Sequence, residues 1–150
     1  MSKSFDFRHA PGHLIRRAHQ FSVAHFMNET AEFDVTPVQF ALLNALIDTP
    51  GADQVTLAGL VAFDAATSGS VIGRLEAKGW IRRGPDADDR RRKRLWVTPE
   101  GEKAVQQMKR VVARVQTRIL APLNAQEREQ LLGLLGKLVT GHEAAAGASD

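Results

Sequence analysis

The order of signals between Thr56 and Gly101 constrains this chain more than any other feature. An apolar run, Leu57 to Ala62, predicts a short helix that Thr56 caps. A turn follows, and Asp64 then stands at an N-cap position. A second helix is predicted over about residues 65–78, with Val71, Ile72 and Leu75 on one face and Gly79 ending it as a C′ glycine. Two helices joined by a tight turn suggest a helix-turn-helix, whose second helix enters the major groove of DNA. Trp80-Ile81-Arg82-Arg83 and Arg94-Leu95-Trp96-Val97 then predict two strands around a polar tip, a β-hairpin wing. The wing carries Arg82, Arg83, Arg90, Arg91, Arg92, Lys93 and Arg94 against Asp86, Asp88 and Asp89. Guanidinium forks suit phosphate oxygens and guanine edges.

The wing sequence DDRRRKRLWVTPEG, preceded by GRLEAKGWIRR, resembles the MarR family of winged helix-turn-helix regulators. The Asp-x-Arg of that family's wing is supplied by Asp89-Arg90-Arg91. The Leu-x-Leu-Thr-x-x-Gly that follows it is Leu95-Trp96-Val97-Thr98-Pro99-Glu100-Gly101 here. The resemblance implies a mainly α fold with a small β-wing, dimerising through its N- and C-terminal helices. It also implies a wing arginine that enters the minor groove, where a narrow A·T-rich groove concentrates negative potential.

At 150 residues the length predicts one domain, and 43% apolar with 25% charged residues is ordinary globular usage. A net charge of +3 says little by itself, because a phosphate footprint is a local patch. The absence of cysteine excludes disulfides, thiolate metal sites and cysteine-based oxidant sensing. No apolar run is long enough to span a bilayer and no signal-peptide core opens the chain, so a cytoplasmic protein with no membrane partner is expected.

Residues 1–10 carry little pattern and are expected to fray or to order on contact. From Pro11, a first helical position, a helix is predicted to about Thr30. Its stripe is Leu14, Ile15, Ala18, Phe21, Ser22, His25 and Phe26, spaced at about 100° per residue. Arg17 and His19 border that stripe and His13 lies one turn before Arg17; a cation beside an apolar wall suits an aromatic carboxylate. The ring of such a ligand is expected against Phe21 and Phe40, its charge on Arg17, and a ring hydroxyl or nitrogen on His13 or His19. His25 is expected to be a core histidine. His9-x-x-x-His13 has a metal-ligand spacing, but Pro11-Gly12 intervenes and no carboxylate or cysteine is expected near it, so neither a metal site nor a cofactor is expected.

Thr36, Pro37 and Gln39 form a capping box ahead of a helix to about Asp48, with Phe40, Leu43, Leu46 and Ile47 inside. Thr49 to Asp53 is a turn, and Gln54-Val55 is predicted as a short strand against the wing. In the second helix of the helix-turn-helix, Thr67, Ser68 and Ser70 can bond bases or phosphates, and Arg74 can reach phosphate or guanine. Gly69 and Gly73 each cost about 1 kcal/mol against alanine, and close approach to DNA would offset that. At the wing tip Arg90, Arg91 and Arg92 are DNA-binding candidates, with Asp89 holding Arg91 through an ion pair.

Thr98-Pro99-Glu100-Gly101 caps a helix to about Leu120, with Val105, Met108, Val112, Val115 and Ile119 on its stripe. Pro122 breaks it, and Asn124 to Glu127 form another capping box. The last helix, to about His142, carries Leu131, Leu132, Leu134, Leu135, Leu138 and Val139 over more than half its circumference, which suggests burial by a partner. The organisation expected is a single domain. Residues 11–35 and 99–142 would dimerise, 36–98 would form the DNA-binding lobe, and 143–150 would be a disordered tail.

These signals converge on a homodimeric repressor of a pseudo-palindromic operator in double-stranded DNA. No nucleophile elbow, Gly-rich phosphate loop or HExxH motif points to an enzyme. Members of the resembling family often answer to aromatic acids or their coenzyme A thioesters. The start Pro11 to Arg17 resembles regulators of aromatic catabolism, so the effector expected is a benzoate-, cinnamate- or nicotinate-like carboxylate or its thioester. A metal-responsive regulator of the same fold and a ligand-free architectural DNA-binding protein are the alternatives.

Overall fold

Helix caps set most element boundaries in the computed structural model, which describes residues 5–148. The chain divides into two compact units, Met1–Val115 and Gln116–Asp150. In the first, α1 (Pro11–Glu29) starts on the N1 proline after a short 3₁₀ turn, Phe7–His9. The arm assigned to residues 1–10 is therefore partly structured, and its first four residues lie outside those described. Thr30 ends α1 by donating from Oγ1 to the Phe26 carbonyl at 2.7 Å. The Thr36–Gln39 capping box opens α2 (Pro37–Asp48), with both of its hydrogen bonds formed at 3.2 Å.

The next helix begins earlier than its apolar run suggested. α3 spans Gln54–Leu60, and its cap is Asp53, whose carboxylate accepts from the Thr56 amide at 2.7 Å. Thr56 is thus inside the helix, and Gln54-Val55 form its first turn rather than a strand. What pairs with the wing is one residue upstream, an isolated antiparallel bridge from Asp53 to Arg94. α4 (Ala65–Ala77) starts where predicted, with Asp64 accepting from the Thr67 amide at 2.7 Å. Gly79 supplies the left-handed turn beyond it at φ +75.

β1 (Ile81–Pro85) and β2 (Lys93–Val97) form the antiparallel wing, in register Ile81↔Val97, Arg83↔Leu95 and Pro85↔Lys93. Thr98 then caps α5 (Pro99–Ile119) by accepting from the Gly101 amide at 3.1 Å. A Cβ at Gly101 would collide with the Trp80 carbonyl oxygen, so only glycine lets α5 start this close to the end of the helix-turn-helix.

Leu42, Leu43, Leu46, Leu57, Ile72, Leu75, Leu95, Val105 and Met108 form one core that fixes α2, α3, α4 and the wing to each other. Leu42 and Val111 are buried beyond the predicted faces, while Phe40, Ile47 and Val112 are only half-buried. Of the predicted α1 stripe only Phe26 is buried, and Leu14, Ile15 and Phe21 are exposed.

In the second unit, the Asn124–Glu127 capping box opens α6 (Ala125–Gly147), and Arg128 Nε closes the preceding turn on the carbonyls of Leu120 and Leu123. The helix continues through the segment expected to be a disordered tail, because alanine is the strongest helix former; residues 149–150 lie outside those described. No residue of α6 is buried, and Leu132, Leu134, Leu135, Leu138 and Val139 are all exposed. Among the described residues no helix is long and apolar enough to cross a membrane.

Candidate nucleic-acid interface

α4 has two faces of opposite character. Ile72 and Leu75 enter the core, while Thr67, Ser70 and Arg74 are exposed. Ser68 is fully buried, four residues before Ile72 and on the same face. That placement removes Ser68 from the candidate DNA contacts. Thr67 has a second task, since both its amide and its hydroxyl bond Asp64 and hold that carboxyl below its ordinary range. What Thr67 presents outward is therefore its methyl group and the oxygen's lone pairs. The two glycines differ. A Cβ at Gly69 would lie 3.1 Å from the end of the Gln54 side chain, so α3 comes close to α4 at that glycine. Nothing lies within 4 Å of a Cβ at Gly73, which leaves that side of the helix open.

In the wing, the Asp89 carboxylate accepts from the backbone amide of Arg91 at 2.9 Å, and the Asp89 carbonyl accepts from the Arg92 amide at 3.0 Å. The predicted Asp89–Arg91 ion pair is not formed; a short aspartate reaches the amide two residues on, and the tip is shaped through backbone. Arg90 and Arg91 are exposed and form no ion pair among the described residues. The other four arginines of the wing are tethered. Arg83 Nε donates to Glu76 at 2.6 Å, the Arg82 guanidinium lies 4.4 Å from the Trp96 ring centre, and Arg92 is 4.0 Å from Asp53. Arg94 Nε donates to Asp86 at 2.9 Å and its Nη1 to the Gly51 carbonyl at 3.3 Å. Asp86 is held below its ordinary range first by the Asp88 amide and then by Arg94. Asp53 is lowered too, mainly by the amide and hydroxyl of Thr56.

Between the start of α3 and the wing runs an open cleft of about 530 Å³, lined by Gln54, Thr56, Arg83, Arg91, Arg92 and Lys93 among others. The sequence reading missed Gln54 and Thr56 as members of this groove. Their signal was present in Asp53, a cap three residues before a threonine. A basic groove that takes one face of a helix and the flank of a hairpin suits a phosphodiester backbone.

The residues singled out on α1 are placed as follows. The Arg17 guanidinium donates to Gln20 Oε1 at 2.6 Å and lies 5.1 Å from the Phe21 ring centre. His13 packs at a tilt against Phe7 with centroids 4.5 Å apart, and its Nδ1 is 3.5 Å from Arg16. His19 is exposed and His25 half-buried. The ring neighbour of Phe40 is Phe26, at 5.9 Å, so Phe21 and Phe40 have different partners within one chain. A carboxylate does stand near the N-terminal histidines: Asp6 contacts His9 Nδ1 at 2.5 Å. Among the described residues no group of three or more acidic, histidine or cysteine side chains is arranged to hold a metal.

Comparison with known proteins places this arrangement. The model of the MarR family matches residues 33–92. The transcriptional regulator HosA of Escherichia coli is 33% identical over 127 residues, which cover 85% of this chain and 93% of the relative. The HTH-type transcriptional repressor NicR of Pseudomonas putida is 31% identical over 141 residues, covering 94% and 89%. Among solved structures, Bordetella bronchiseptica BpsR, whose DNA binding is regulated by 6-hydroxynicotinic acid, superposes with a TM-score of 0.86 at 32% identity, covering 91% of this chain and 98% of that one.

Proposed function

Because the chain belongs to the MarR family of winged helix-turn-helix transcriptional regulators, we propose that it is a homodimeric repressor released from a pseudo-palindromic operator by a small aromatic acid. It is a DNA-binding regulator and not an enzyme. Residues 36–98 form the DNA-reading lobe, and residues 11–35 with 99–142 form the dimer. In each subunit α4 lies in a major groove, with half-sites about one helical turn apart. Thr67, Ser70 and Arg74 face the bases and nearby phosphates. Arg90 and Arg91, with Arg92 released from Asp53, grip the flanking minor groove and its phosphates. The observation that carries this reading is the split of the cations. The wing's base is tied down by Asp86, Glu76 and Trp96, while Arg90 and Arg91 at its tip have no ion pair among the described residues.

The effector is a nicotinate- or benzoate-like carboxylate or its thioester. Support comes from Arg17 lying over an aromatic ring beside an uncovered apolar stripe, and from the likeness to BpsR. Effector and DNA weaken each other's binding by the same factor. The test begins with selection of a binding site from a random duplex pool. Release of that duplex is then titrated with 6-hydroxynicotinic acid and with benzoate. Wild type should release it, while Arg17→Ala should bind it equally well and lose most of the response. Arg17→Lys should recover only part, because an ammonium lacks the planar fork that matches a carboxylate. Failure to enrich any sequence would favour an architectural DNA-binding protein instead. If Arg17→Ala lowers dimer stability and DNA affinity together but keeps the response, Arg17 is structural.

A further inference from the structure

The end of α4 is gripped from two directions, and one grip comes from far away in sequence. Lys78, the C-cap of α4, donates from Nζ to the Phe33 carbonyl at 2.8 Å and to the Asp34 carbonyl at 2.7 Å. The same ammonium lies 4.7 Å from the Trp80 ring centre and 3.7 Å from the exposed Asp34 carboxylate. An ordinary surface lysine keeps its rotamer freedom and its hydration. This one has given up both, with its side chain only 26% exposed.

The carbonyls it holds belong to a well-anchored connection between α1 and α2. Thr30 and Val35, on either side, are almost fully buried. Asp34 sits between them in the left-handed region at φ 49, which is unfavourable for a residue with a Cβ. A second hold comes from the start of α5, where the Thr98 hydroxyl donates to the Gly79 carbonyl at 2.6 Å and the Thr98 amide to the Trp80 carbonyl at 2.9 Å. Residues 78–80 are therefore clamped between the end of α1 and the start of α5.

We propose that Lys78 is a positioning residue for sequence reading, a strut that fixes the pose of α4 against the α1–α2 connection without touching DNA. The inference rests on the DNA-binding reading above. Two bonds from one ammonium to adjacent carbonyls restrain both rotation and sliding of the helix end. Without them the tether on that side is gone, while the buried Ile72 and Leu75 still hold α4 in the fold.

The test compares Lys78→Met, Lys78→Arg and wild type on the selected duplex and on a scrambled duplex across a salt titration. Lys78→Met keeps the apolar stem over Trp80 and removes the donors. Expected is a loss of about tenfold on the selected duplex, the order of magnitude for losing charge-assisted hydrogen bonds. Binding to scrambled DNA and its salt slope should stay put, and Lys78→Arg should recover most of the loss. Equal losses on both duplexes with a shallower salt slope would identify Lys78 as a phosphate contact and overturn the proposal. So would full specificity in Lys78→Met. If wild type enriches no sequence, the repressor reading fails by itself. Hydrogen exchange then judges the strut: amides of residues 31–35 and 79–80 must lose protection in Lys78→Met, and unchanged protection refutes it. Should the methionine variant not fold, Lys78→Gln takes its place in the same measurements.

Discussion

Asp86 and Arg94 form the joint between the wing and the turn before α3. The Asp86 side chain is 8% exposed and accepts from Arg94 Nε at 2.9 Å, and Arg94 passes the connection on to the Gly51 carbonyl. The backbone repeats the link, with the Leu95 amide donating to Ala52 at 3.0 Å and the Gly51 amide to Leu95 at 2.8 Å.

The joint should depend on pH in one direction. Asp86 has a folded-state pKa below its ordinary 3.8, through the Asp88 amide first and Arg94 second. A depressed carboxyl stabilises fully above its unfolded value and loses that contribution as pH falls through the folded one. The wing of the wild type should therefore stay closed at neutral pH and loosen only in acid, below 3.8. Asp86→Asn should show a loosened wing at neutral pH and a weaker acid transition. Amide exchange across residues 81–97 checks this; identical acid profiles for the two proteins would refute it.

Arg91→Ala should lower DNA affinity. The slope of log K against log salt should fall by about 0.9 for each phosphate that a subunit no longer neutralises. The melting temperature should hardly move, because the Arg91 side chain is exposed and its backbone amide keeps the bond to Asp89. An unchanged slope would take Arg91 out of the interface.

On α4, nearby serines should behave oppositely. Ser70→Ala should weaken binding to the selected duplex by about 1–3 kcal/mol and leave scrambled DNA nearly unaffected. Thr67→Ala should do the same to a smaller extent through its methyl. Ser68→Ala should change stability and not discrimination, since Ser68 is fully buried. Competition between the two duplexes decides, and a loss of discrimination in Ser68→Ala would reverse the facing of the helix.

Leu135→Asp should abolish the dimer. Leu135 is 42% exposed within one chain, so a charge there is harmless to a lone subunit and becomes costly only when a partner removes its water. Sedimentation at micromolar concentration reads the result, and a dimer of normal affinity would show that α6 does not carry the interface.

The parts of the fold that were legible in sequence are those whose signals are local. The Thr36, Asp64, Thr98 and Asn124 caps all form as their spacing predicts. Asp53 and Thr56 are both competent caps, and what decides between them is the bridge from Asp53 to Arg94 across the chain. Ser68 was recoverable, since it precedes Ile72 and Leu75 by four and seven residues on a 3.6-residue period. Its small size suits close approach to DNA, but the helical period turns it into the core. The link from Lys78 to Phe33 spans 45 residues and ends on backbone carbonyls, which leave no trace in residue types.

The chain has 2 tryptophans, Trp80 just beyond α4 and Trp96 in β2. Trp80 lies beneath the Lys78 ammonium, and Trp96 packs against the Arg82 guanidinium and close to Gly51. Neither α1 nor α6 contains an indole. Near-ultraviolet emission from the unlabelled protein is thus a local signal. Its intensity follows the cations stacked on those rings, so a shift of the wing or of the α4 terminus is visible without any attached dye, while events confined to α6 stay dark.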